Sequence, residues 1–175
     1  MFKKTAWALV FVVVASVASV TSMAGIDPVF AATSVASPVV QVISYTDVYG
    51  KYPLALWWGS ASVISSDGVL LTNNHVVDDG AWRLATAFNV CVTQVVGQKP
   101  VCDYTASLIQ RDETLDLALL KIDPTDIHGN RVDFAMFPVL AIDYDYVPKT
   151  QDDVVATGYP WIGAETITET KGIIG

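Results

Sequence analysis

The chain has 175 residues, 52% of them hydrophobic and only 16% charged, which is enough apolar material for one domain of ordinary size. Eighteen acids against ten bases leave a formal charge of −8, and such a surface cannot neutralise a phosphate backbone, so nucleic acid is excluded as a partner. Long polar low-complexity tracts are absent, which excludes wholesale disorder.

Met1 to Lys4 form a short cationic segment, and Ala6 to Val20 is apolar apart from Ser16 and Ser19. This is the pattern of a secretory leader over residues 1–24, with Ser22 and Ala24 suited to cleavage after Ala24 and Val29 with Ala31 offering a later site. An uncleaved anchor is the alternative, since Thr5 to Ile26 is long enough to span a bilayer, and it would be the chain's one link to a membrane. Either way the protein is expected outside the cytoplasm: periplasmic, secreted or attached to the cell envelope. Cleavage removes Lys3 and Lys4 and no acid, leaving eight bases against 18 acids and a charge of −10. Residues 25–37 are small, polar and punctuated by proline, and read as a flexible lead-in.

From Pro38 onward, short runs rich in Val, Thr and aromatics alternate with turn clusters, the pattern of an all-β barrel or sandwich. Val39 to Tyr45 is the first predicted strand. Trp58 to Ser65 and Val69 to Asn74 flank Ser66-Asp67-Gly68, whose Asp-Gly is a strong hairpin signal. Trp82 to Val96 and Val101 to Gln110 are two arms around the break Gly97-Gln98-Lys99-Pro100. Leu115 to Ile122 follows, with Asp116 at its start and Asp123-Pro124 ending it. Residues 126–149, rich in Asp, Tyr and Pro, read as a long surface connection, and Val154 to Thr157 and Ile167 to Ile174 are two last strands. A chain ending in Gly172-Ile173-Ile174-Gly175 leaves an apolar strand without a neighbour, as a truncated domain would.

Export favours a disulfide between Cys91 and Cys102, which the hairpin arms could bring together, with two unpaired thiols as the alternative. Two Cys without nearby His are too few to hold a metal. The acidic pairs Asp78-Asp79, Asp143-Tyr-Asp145 and Asp152-Asp153 match no calcium-loop spacing and read as a solvated face. No cofactor or metal is therefore expected. His128 sits in a polar turn and reads as a solvated loop residue, while His75 ends Leu70-Leu-Thr-Asn-Asn-His-Val-Val77 at a predicted strand tip.

Four blocks in order change the weight of His75. Gly59-Ser-Ala-Ser-Val-Ile-Ser-Ser-Asp-Gly-Val-Leu-Leu-Thr-Asn-Asn-His-Val-Val77 resembles the histidine region of trypsin-like serine peptidases, above all the bacterial HtrA/Deg type. Thr114-Leu-Asp-Leu-Ala-Leu-Leu-Lys-Ile122 looks like that family's aspartate strand, Asp-x-Ala-x-Leu. Val154-Val-Ala-Thr-Gly-Tyr-Pro160 and the strand ending Lys171-Gly-Ile-Ile174 are similar to the two that follow. The resemblance departs at Ala61, where the family has a second Gly, and in the cysteine-bearing stretch between His75 and Asp116, which is longer than the compact HtrA/Deg pattern.

The resemblance implies a trypsin-like antiparallel β-barrel: a first barrel over 38–150, the first strands of a second over 151–175, and a truncated domain beyond. It makes His75 the general base of peptide hydrolysis and Asp116 the carboxylate that orients it, with protein or peptide substrates. Asp78 and Asp112 miss the motif position and read as solvated loop acids. The family's nucleophile lies in a Gly-x-Ser-Gly context that these 175 residues lack: the last serine is Ser107, and Ser60, Ser62, Ser65 and Ser66 precede His75. The chain by itself is thus expected to be inactive, and the alternative to a peptidase is an exported, non-catalytic β-barrel that binds a partner.

Overall fold

The computed structural model describes residues 12–13, 37–48, 52–78, 80, 84–160 and 166–175. The expected leader, apart from Val12 and Val13, and the lead-in up to Ala36 lie outside the described residues, as do Trp82 and Trp161 to Glu165.

Among the described residues the strands are β1 (Val12–Val13), β2 (Val39–Val48), β3 (Tyr52–Val63), β4 (Val69–Thr72), β5 (Ala87–Val92), β6 (Val101–Asp112), β7 (Leu117–Ile122), β8 (Asp153–Gly158) and β9 (Thr168–Ile173). Strands β2-β3-β4-β7-β6-β5 close into an antiparallel barrel, which β5 completes by pairing back onto β2 from Gln41↔Cys91 to Tyr45↔Ala87. A closed barrel leaves its member strands without a free edge. The all-β antiparallel barrel read from the sequence is the architecture of the molecule.

Strand alternation builds the core. Along β7 every second residue, Ala118, Leu120 and Ile122, is buried, and Val40 and Val42 of β2, Val63 of β3, Leu70 of β4 and Val90 of β5 point to the same interior. A one-residue slip of any of these strands would turn its apolar set to solvent, so the hydrophobic pattern fixes the register. The β3–β4 hairpin turns at Gly68, whose φ of +86° is a left-handed conformation that a side chain resists. The ring of Phe134 packs against the same glycine, 2.6 Å from where a Cβ would sit.

That contact corrects one expectation. The connection 126–149 is irregular, with one short 3-10 turn at Phe134–Met136, but it does not simply run over the surface. Val132 and Phe137 are buried in the barrel core, with Phe134 packed beside them and Phe137 edge-on to Tyr104, 5.1 Å between ring centroids. Two buried apolar anchors thus tie an otherwise polar segment to the barrel core.

The second sheet, β1-β8-β9, stands beside the barrel. Its long pairing joins β8 to β9 from Asp153↔Ile173 to Gly158↔Thr168, and β1 adds Val12↔Ala156 and Val13↔Val155. Beyond Gly158 the chain is pinned to the barrel, since the Tyr159 amide donates to Ser60 Oγ on β3 at 2.8 Å. Among the described residues no helix is long and apolar enough to cross a membrane.

Candidate active site

The strand expected from Val69 to Asn74, with His75 at its tip, ends at Thr72. The chain then winds into a single helical turn, α1 (Asn74–Val77), with Asn73 as its N-cap. Val76 and Val77 anchor this turn in the core, and Ser44 Oγ, fully buried on β2, donates to the Val76 carbonyl. Gly59 on β3 makes room for it: a Cβ there would meet Val76 Cγ2 at 2.6 Å. Two buried valines facing inward turn His75 outward, half exposed at the barrel rim.

Asp116 comes to the same place from the opposite side. It ends the turn between β6 and β7, in which Asp112 Oδ1 accepts from the amides of Thr114 and Leu115. Asp116 itself has φ +53°, a left-handed conformation that Asp tolerates better than most residues. From there its carboxylate meets the histidine twice. His75 Nδ1 lies 2.8 Å from Oδ2, and the His75 amide donates to Oδ1 at 2.9 Å. A carboxylate can only accept, so the ring hydrogen sits on Nδ1 and the lone pair of the neutral imidazole sits on Nε2. An imidazole held in this way can act as a base through its other nitrogen, with a carboxylate 2.8 Å from the ring to balance a positive charge.

Asn73, buried at 4% exposure, donates through Nδ2 to both the main-chain oxygen of Asp116 at 3.0 Å and its Oδ2 at 3.2 Å. Arg111, on β6, bridges the two ends of the helical turn by donating to Asn74 Oδ1 at 3.4 Å and to the carboxylate of Asp78, with Glu113 2.8 Å away on its other side. Asp78 is thus not the solvated loop acid expected; its side chain is 16% exposed and carries a cation partner. Arg111 lies 33 residues from Asp78, and Asn73 lies 43 from Asp116, so no local spacing announces these contacts. Asn73 and Asn74 stand inside the Gly59–Val77 motif, but the motif gives neither a role.

The remaining sites fall elsewhere. His128 is mostly exposed, its Nε2 3.6 Å from Asp103. Cys91 and Cys102 are joined in a disulfide between β5 and β6, with Cys91 fully buried. Asp152 accepts from Tyr146 and the Lys149 amide, which hold its carboxyl below the usual carboxylate range. Among the described residues no group of three or more His, Cys, Asp or Glu side chains converges as metal ligands would. Ser107 donates to Asp123 at 2.9 Å, a bond that belongs to the β6–β7 pair and not to the His75 rim.

A rim histidine hydrogen-bonded to the aspartate of the facing turn thus stands on a closed antiparallel barrel. The trypsin-like peptidase domain family matches residues 59–175, and the chain belongs to that family. Its curated similarities run to HtrA/Deg-type members. A probable periplasmic serine endoprotease, DegP-like, from Rhizobium meliloti is 34% identical over 116 residues, covering 66% of this chain and 19% of that protein. The magnetosome formation protease MamE of Paramagnetospirillum magneticum is 34% identical over 116 residues, covering 66% and 13%. Serine protease HTRA1A of Danio rerio is 32% identical over 135 residues, covering 77% and 24%. A crystal structure of the serine endoprotease from Yersinia pestis superposes with a TM-score of 0.54 at 27% identity, over 81% of this chain and 41% of that one. The chain spans about a quarter or less of the length of these three curated relatives.

Proposed function

We propose that this chain is the N-terminal portion of an exported trypsin-like serine endopeptidase, with His75 as general base and Asp116 as the carboxylate that orients it. The observation that carries the reading is the 2.8 Å contact between His75 Nδ1 and Asp116 Oδ2, which leaves Nε2 as the free nitrogen at the rim. In the reaction, Nε2 takes the proton of a serine hydroxyl as that oxygen attacks a peptide carbonyl. The protonated ring then gives the proton to the leaving amine, and water repeats the exchange to release the acyl group. Residues 38–150 form the first barrel and 151–175 begin the second, so protein or peptide chains would lie across the cleft between them.

No Gly-x-Ser-Gly sequence is present in these 175 residues, so the nucleophile and its oxyanion-hole amide must come from outside them. The chain alone is expected to hydrolyse nothing. The periplasmic assignment of DegP-like relatives and the cationic-then-apolar start of the sequence support export, with residues 1–24 as the leader.

The test uses two samples and a fluorophosphonate probe, which labels only an activated serine. Product purified from its native source is expected to label, and His75→Ala to abolish the label; the 175-residue chain is expected neither to label nor to cleave casein. Casein cleavage by the 175-residue chain that His75→Ala abolishes would overturn the argument from the absent serine. A native product with the mass of residues 25–175 and no labelling would overturn the peptidase reading in favour of a binding domain.

A further inference from the structure

Asn73 occupies the N-cap of α1, a position where an Asn side chain ordinarily accepts a hydrogen bond from one of the first free amides of its own helix. Here it makes no such cap. The amide it would cap, that of His75, instead donates to Asp116 Oδ1 at 2.9 Å. The two residues have exchanged duties: the carboxylate caps the histidine turn from across the barrel rim, and the Asn turns its NH2 back onto the aspartate.

That NH2 lies within reach of the main-chain oxygen of Asp116 at 3.0 Å and of its Oδ2 at 3.2 Å. Few combinations of backbone and side-chain angles bring both oxygens of one residue to a single nitrogen. The contact therefore fixes the left-handed backbone of Asp116, φ +53°, and the direction of its carboxylate together. Asn73 is 4% exposed, so water is poorly placed to replace it.

From this geometry we infer that Asn73 is the positioning residue of the pair: it holds Asp116 in the one conformation that fixes His75 with its hydrogen on Nδ1 and its lone pair on Nε2. Removing Asn73 frees Asp116 to leave the left-handed region, which most residues avoid, and the carboxylate then moves off the ring. The inference rests on reading His75 and Asp116 as base and orienter, and it adds the residue that sets their alignment.

The test is the tautomer of His75 in the 175-residue chain, read from imidazole 15N shifts and two-bond 1H–15N couplings at a pH where the ring is neutral, with His128 assigned separately. Wild type is expected to show a dominant Nδ1–H form, and Asn73→Ala to make Nε2–H the majority form. If wild type itself lacks the Nδ1–H form, the base-and-orienter reading fails. If wild type has it and a folded Asn73→Ala keeps it unchanged, that reading stands and the role of Asn73 is overturned. A second measurement needs no variant: in wild type the Asn73 side-chain amide should exchange slowly with solvent and shift as His75 titrates. An amide that exchanges at the rate of a free Asn and does not move would overturn the proposal on its own.

Discussion

The hydroxyl of Tyr159 and Thr93 Oγ1 share a hydrogen bond of 2.7 Å although 66 residues separate them, and both side chains are buried. This bond ties the end of β8 to the segment just beyond β5. With the Tyr159 amide held by Ser60, it makes the second sheet an extension of the barrel and not a loose tail.

Tyr159→Phe should therefore destabilise the chain at neutral pH by about 1–2 kcal/mol, since it strands a buried threonine hydroxyl. Burial also pushes the Tyr159 phenol above its ordinary value of 10.0. Above that pH the unfolded chain has lost the proton and the folded one retains it, so wild-type stability falls from pH 10 up to the raised value. Urea unfolding between pH 8 and 11 should show a shallower alkaline decline in Tyr159→Phe. Equal slopes in the two proteins would contradict the assignment.

Arg111 binds Asn74 and Asp78 from one side chain and so braces both ends of the turn that carries His75. Arg111→Ala is expected to cost about 1–2 kcal/mol, the range for a charge-assisted bond discounted for partial exposure. A cycle of Arg111→Ala and Asp78→Asn, followed by thermal unfolding, should show most of that loss as coupling. Additive effects would mean that the ion pair contributes little.

Gly59→Ala places a methyl group 2.6 Å from Val76 Cγ2, closer than non-bonded carbons approach. Overpacking of this kind costs about 1–3 kcal/mol. Val76→Ala vacates the space, so the double variant should be more stable than the sum of its parts predicts. A Gly59→Ala protein as stable as wild type would show that the turn yields without strain.

The Cys91–Cys102 disulfide closes a loop of 11 residues of sequence separation. In the chain-entropy account this constrains the unfolded state by roughly 3 kcal/mol. Urea midpoints with and without reductant should differ accordingly, at an unchanged barrel circular dichroism signal in the absence of urea. No difference would leave the bond without a stabilising role.

The barrel strands were legible because short runs rich in Val, Thr and aromatics alternate with turn clusters, and His75 and Asp116 stood out because each lies in a contiguous motif. What the sequence concealed depends on residues distant along the chain. The helical turn at Asn74–Val77 cannot be told from a strand continuation by Val76 and Val77 alone; Gly59 and Ser44 decide it, by leaving space and by capturing the Val76 carbonyl. Asp78 looked solvated because Arg111 lies 33 residues downstream. Val132 and Phe137 looked exposed because their polar neighbours outnumber them, while the residues that bury them, such as Tyr104 against Phe137, lie elsewhere in the chain.

Barrel closure also sets an order of events during synthesis. β4 needs β3 on one side and β7 on the other, with pairs running from Val69↔Lys121 to Thr72↔Ala118. Until β7 has emerged from the ribosome, Leu70 lacks its partner Leu120, and Asp116, made just ahead of that strand, has no paired β7 to hold it against His75. Such long-range pairing places the domain among slow folders, in the range of about milliseconds to seconds. The histidine turn and the last barrel strand must therefore form together, so the site cannot be assembled ahead of the fold that holds it.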